Sequence, residues 1–88
     1  MNWVYRFDPR ALKELKKLGL QAQKEIIGYL DERVAGGGDP RRFGKGLKAD
    51  LAGLWRYRVG DYRILCQIVD GELIVLVVAV GHRRDVYE

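Results

Sequence analysis

The stretch Leu54–Val80, "LWRYRVGDYRILCQIVDGELIVLVVAV", decides the fold. Three runs of branched and aromatic residues are broken at Gly60-Asp61 and at Asp70-Gly71. Glycine in the first loop position suits a type II′ turn and Asp-Gly suits a type I′ turn. Each break therefore reads as a two-residue hairpin, and the stretch as an antiparallel meander of three strands. The turns set the registers. Val59 faces Tyr62, Arg58 faces Arg63, Tyr57 faces Ile64 and Arg56 faces Leu65. Across the second turn, Arg63 faces Val78 and Asp61 faces Val80. The near-continuous apolar run of the last strand places it inside the sheet, covered on both faces.

Upstream, "WVYRF" (Trp3–Phe7) reads as a further strand, placed beside the last one to give the order 1-4-3-2. Asp8 caps a helix whose first position is Pro9, where a missing N–H costs nothing. Leu12, Leu15 and Leu18 recur at near-helical spacing, and Gly19 stops the helix. A second helix spans about Gln21–Val34 with Ala22, Ile26, Leu30 and Val34 on one stripe, and "GGGDP" ends it. Two amphipathic helices joined by a short turn need a sheet to cover. The expected architecture is a single α+β domain over residues 1–88: an N-terminal strand and a helical hairpin packed on one face of a four-stranded, largely antiparallel sheet. "RRFGKGLKADLAG" (Arg41–Gly53) reads as a connection anchored by Leu47 and Leu51. It is basic and glycine-punctuated, yet it lacks the spacing of a phosphate-binding P-loop.

The composition is that of a soluble globular domain: 48% hydrophobic and 32% charged over 88 residues. A formal charge of +4 and a pI near 9.4 point to an anionic partner, nucleic acid being the commonest. No signal-peptide run opens the chain, and Leu73–Val80 is too short to span a bilayer. A lone cysteine, Cys66, excludes an internal disulfide and a cysteine-based zinc site. The default is a cytoplasmic protein without metal or cofactor and without a membrane partner.

The registers sort the side chains by face. Trp55, Tyr57, Val59, Tyr62, Ile64, Cys66 and Ile68 share one face, which the helices cover, with Cys66 an inert thiol between Trp55 and Val75. Arg56, Arg58 and Arg63 share the other. Like charges directly opposite on a sheet cost a few tenths to about 1 kcal/mol, so this cluster is a burden on the isolated fold. Either acidic side chains neutralise it, with Asp61 and Asp85 at hand, or an anion fills it. The surplus of arginines favours the anion. The last strand ends beside the Gly60-Asp61 turn, and Gly81 lets the chain turn away there, so Arg83 and Tyr87 emerge beside Arg58 and Arg63. An aromatic among arginines suits an unstacked nucleobase with its phosphate. Lys45, Lys48, His82 and Arg84 are the flanking contacts to such an RNA. His82 has the one side chain suited to proton transfer near neutrality, although strand-end histidines are more often structural. Leu65, Val69, Ile74, Leu76 and Val78 lie on the arginine-bearing face with no segment left to cover them, the mark of a protein interface.

At "LWRYRVGDYRI" and "VGHRRDVY" the sequence resembles the RelE toxins of the RelE/ParE superfamily, and the likeness covers essentially the whole chain. The resemblance implies the toxin of a type II toxin–antitoxin system. Its activity would be metal-independent, ribosome-dependent endoribonucleolysis of mRNA in the A site, leaving 2′,3′-cyclic phosphate and 5′-OH ends. It implies a cognate RelB-like antitoxin that wraps the toxin, through Leu65, Ile74, Leu76 and Val78 here, and that alone binds operator DNA. The family's catalytic set falls on Arg56, Arg58, Arg63, Arg83 and Tyr87. Well-known members often carry lysines at the positions of Arg56 and Arg58, and often end in a further helix that is absent here. Guanidinium stays protonated and makes a poor general base. Two rival readings stand beside this one: a ParE-like inhibitor of gyrase with no enzymatic activity, and a catalytically inactive RNA-binding module.

Overall fold

A computed structural model of the chain describes residues 2–82. Strand β1 (Val4–Phe7) leads through Asp8 into helix α1 (Pro9–Lys17), and helix α2 (Leu20–Arg33) follows directly. The Asp8 carboxylate accepts from the Ala11 N–H at 2.8 Å, a cap worth about 1 kcal/mol. Gly19 sits between the helices at φ +90, where a side chain would be strained. The chain then runs through a 3₁₀ turn at Pro40–Arg42, strand β2 (Lys45–Gly46), a second 3₁₀ turn at Ala49–Leu51, and strands β3 (Trp55–Val59), β4 (Tyr62–Val69) and β5 (Ile74–His82).

The expected sheet is present with one strand more. The order is β1-β5-β4-β3-β2, a five-stranded mixed sheet in which β1 runs parallel to β5 and the other pairs are antiparallel. The added edge strand β2 lies inside the segment read as a bare connection. Two residues are too few to show strand periodicity, and tertiary contacts create it. Leu47 and Leu51 are only half-buried. The anchors are instead Pro40, fully buried, and Phe43, with Tyr57 Oη donating to the Pro40 carbonyl at 2.6 Å and Trp55 Nε1 donating to the Phe43 carbonyl at 2.7 Å. Gly44 sits at φ +77, and a methyl group there would run into the Arg56 carbonyl, so only glycine lets the loop approach β3 this closely.

One core lies between the helices and one sheet face. Ala11, Leu15, Ile26, Leu30 and Val34 pack against Tyr57, Ile64, Cys66, Val75 and Val77. The α2 stripe is buried as expected. On α1, Ala11 lines the core where Leu12 was expected to, and Leu12 is exposed. Burial pushes the Cys66 thiol up, consistent with an inert group. Its neighbours across the sheet are Trp55 and Val77, not Val75. Tyr5 Oη donates to Asp31 Oδ1 at 2.6 Å, tying β1 to α2, and burial together with that bond pushes the hydroxyl up to about 12.

The second hairpin departs from the two-residue type I′ turn. Asp70–Glu72 forms a 3₁₀ turn and Leu73 closes it in the left-handed region at φ 55, so Val69 pairs with Ile74. Three tertiary hydrogen bonds hold the longer loop. Arg41 grips the Asp70 carboxylate with both nitrogens, at 2.7 and 2.9 Å, and the Leu73 carbonyl accepts from the Val4 N–H at 3.0 Å. The register shifts again at a β-bulge: Cys66 pairs with Val77 but Leu65 with Ala79, which leaves Val78 as the extra residue. Arg63 therefore faces Gly81, not Val78, and Asp61 does not face Val80, which pairs with Ile64. Gly81 continues the strand rather than turning it away. β5 does lie inside the sheet, but its face opposite the helices is only half-buried at Ile74, Leu76 and Val78.

Candidate functional site

The meander gathers the arginines as its first turn requires. Gly60 takes φ +57 and Asp61 stays at negative φ, as a type II′ turn does, and this aligns Arg58 with Arg63 and Arg56 with Leu65. Alternation then holds all three arginines on the face away from the helices. β2 extends the row, because Lys45 stands opposite Arg56. Lys45, Arg56 and Leu65 form one line across the sheet, and Arg58, Arg63 and Gly81 form the next. Four cations thus occupy neighbouring positions on two adjacent rows.

They sit at graded depth. Arg58 is exposed, Arg56 is 9% exposed and Arg63 only 1%. Burial, reinforced by the neighbouring Arg58 charge, pulls the Arg56 guanidinium below its usual value. Burial is the larger of the two causes, and the like charge of Arg58 the smaller. Starting so far above neutrality, Arg56 still remains a cation at physiological pH. The arginines of the row are fixed positive charges at that pH.

Not every residue marked in the sequence joins it. His82 pairs with Tyr62 and shares its face, the one the helices cover, where the two rings meet edge-on with centroids 6.0 Å apart. The bulge puts it there: the extra residue at Val78 inverts the alternation of everything after it. Lys48 lies beyond β2 at the start of the Ala49–Leu51 turn, exposed and outside both rows. Arg83, Arg84, Asp85 and Tyr87 lie outside the described residues. The apolar set divides: Leu65 is 6% exposed and packed within the sheet opposite Ala79, Ile74 and Leu76 are half-buried at the other end of β5, opposite Val69 and Gln67, and Val78 occupies the bulge. Lys45 gains its place from β2, and the only trace of that in the sequence is Gly44, the glycine that permits the close approach.

Fold and site together define a small basic α+β domain that gathers Lys45, Arg56, Arg58 and Arg63 on the helix-free face of its sheet. A sequence profile described as the ParE toxin of the type II toxin-antitoxin system parDE matches residues 5–87. The chain belongs to the RelE/ParE family of type II toxins. It is similar to Toxin RelG of Mycobacterium tuberculosis (strain ATCC 25618 / H37Rv), 32% identical over 87 residues, spanning 99% of this chain and 98% of the relative. The mRNA interferase toxin RelE of Escherichia coli (strain K12) is 31% identical over 88 residues, covering 96% of this chain and 86% of that protein. Among solved structures, the toxin-antitoxin complex RelBE2 of Mycobacterium tuberculosis superposes with a TM-score of 0.78 at 31% identity, over 94% of this chain and 100% of that one.

Proposed function

We propose that this toxin is a metal-independent, ribosome-dependent endoribonuclease that cleaves mRNA in the A site, and that a RelB-like antitoxin holds it inactive. The carrying observation is the double row of cations Lys45, Arg56, Arg58 and Arg63 on the helix-free face. The Escherichia coli relative, an mRNA interferase toxin, supports the same reading.

In this reading a ribose 2′-oxygen attacks the adjacent phosphorus. The new O–P bond forms as the bond to the 5′-oxygen breaks, leaving a 2′,3′-cyclic phosphate and a 5′-OH. Negative charge builds on the phosphorane oxygens, and preorganised guanidinium groups stabilise it. Arg58, the exposed member, contacts the backbone directly. Arg56 and Arg63 supply fixed positive charge from beneath, where the local dielectric is low and the field stronger. By resemblance Arg83 joins them and Tyr87 stacks on a flanking base. The 2′-hydroxyl proton leaves to water or a phosphate oxygen, since no guanidinium in the row accepts it, and water returns a proton to the departing 5′-oxygen to give the 5′-OH.

The test is to map mRNA 5′ ends in a translating extract with and without the protein. Codon-phased new ends, absent when translation is blocked, are expected. Intact messages together with gyrase-linked DNA breaks would replace this reading with inhibition of gyrase.

A further inference from the structure

Past Val77, strand β5 loses its neighbour on one side. There β1 ends: Phe7 pairs with Val77, the Asp8 N–H donates to the Val77 carbonyl at 3.0 Å, and the chain turns into α1. Val80 is 3% exposed, and a buried backbone N–H at a strand edge must find an acceptor. The acceptor comes from a helix. Glu14 on α1 places Oε1 2.9 Å from the Val80 nitrogen, 66 residues away in the chain. Its other oxygen, Oε2, accepts from Arg10 Nε at 3.4 Å, so the carboxylate is held from both ends. Glu14 does for the far half of β5 what β1 does for the near half.

The residue held is well placed. Val80 lies just past the bulge, where the β4–β5 register shifts, and it immediately precedes Gly81, which faces Arg63. We propose that Glu14 is a positioning residue of the cationic platform: its bond to Val80 fixes the register of Val80–His82 and thereby the geometry around Arg63. The functional part rests on the RNA-cleavage reading above; the register part does not. A one-residue slip past the bulge would turn each later side chain to the opposite face. A carboxylate is the strongest acceptor available for this bond, and an amide oxygen the nearest substitute.

The experiment compares Glu14→Ala and Glu14→Gln with the wild type in two measurements. In mRNA cleavage by the purified protein added to a translating extract, Glu14→Ala should lose about 10- to 100-fold in kcat, the scale of a small misplacement of charge. KM should stay within about twofold, because the exposed contact surface is untouched. Glu14→Gln, which keeps an oxygen acceptor, should recover most of the loss. In amide exchange, Val80, Gly81 and His82 should exchange about tenfold faster in Glu14→Ala, while Val75 and Val77 keep wild-type rates. Full kcat in Glu14→Ala, equal loss in both variants, or uniformly faster exchange across β5 would each overturn the proposal. A wild-type protein that cleaves no message would overturn the RNA-cleavage reading alone, and the exchange contrast at Val80–His82 would still decide the clamp.

Discussion

Arg58 and Arg63 stand directly opposite each other, yet they differ in kind. Arg58 reaches solvent, whereas Arg63 exposes 1% of its surface and is the largest fully buried side chain among the described residues. Removing Arg58 takes away a preorganised donor and relieves repulsion within the row. Arg58→Ala should therefore cut cleavage by about 10²- to 10³-fold. Its melting temperature should hold or rise slightly, since the relief is worth a few tenths to about 1 kcal/mol. Arg63→Ala should melt earlier, because it empties a packed position. Thermal unfolding of the two variants beside their cleavage rates checks the contrast. A marked loss of melting temperature in Arg58→Ala would show that the row is not under net repulsion.

At the level of elements, the segment before β3 is the one whose role changes most. Arg33 stacks over the Phe43 ring at 4.5 Å, the Phe43 carbonyl takes the Trp55 indole N–H, and the Pro40 carbonyl takes the Tyr57 hydroxyl. Together these hold the loop against β3, so that Lys45 enters the platform as strand β2. Gly44 is the permissive residue. Gly44→Ala combines a left-handed φ with a clash against backbone, and should cost about 1–3 kcal/mol. Cleavage should fall as Lys45 leaves its row. Urea unfolding gives the first number and the extract assay the second. An alanine variant as stable as the wild type would mean that the loop is not pinned there.

For the whole molecule, the arrangement leaves one sheet face covered by helices and the other carrying both cations and a half-buried apolar strip, Ile74 and Leu76. The same face therefore serves substrate and inhibitor in the proposed scheme. A segment with apolar anchors and acidic side chains matches both features of that face and the formal +4 charge of the chain. The antitoxin is expected to order on binding there, with the apolar area it buries offsetting the entropy of ordering. Amide exchange on the complex should show new protection along Leu73–Val80. Protection confined to the outer faces of α1 and α2 would place the antitoxin elsewhere and refute this account of inhibition.

Much of this was legible from sequence, and for local reasons. The Asp8-Pro9 start of α1, the Ala22-Ile26-Leu30-Val34 stripe and the Gly60-Asp61 turn each depend on neighbours within a few residues. The alignment of Arg58 with Arg63 follows from that turn, so the heart of the platform could be read without coordinates. What escaped depends on groups far apart in the chain. Arg41 and the Val4 N–H hold the Asp70–Leu73 loop in a form that Asp-Gly alone does not specify. The bulge at Val78 lies where β5 passes the end of β1, with Glu14 holding the strand just beyond it. That bulge turned His82 to the face of Tyr62, and the loop's grip on β3 carried Lys45 to Arg56. Local periodicity determined the strands, helices and first register; only long-range hydrogen bonds, made between segments that meet after folding, decided the second register and the places of Lys45 and His82.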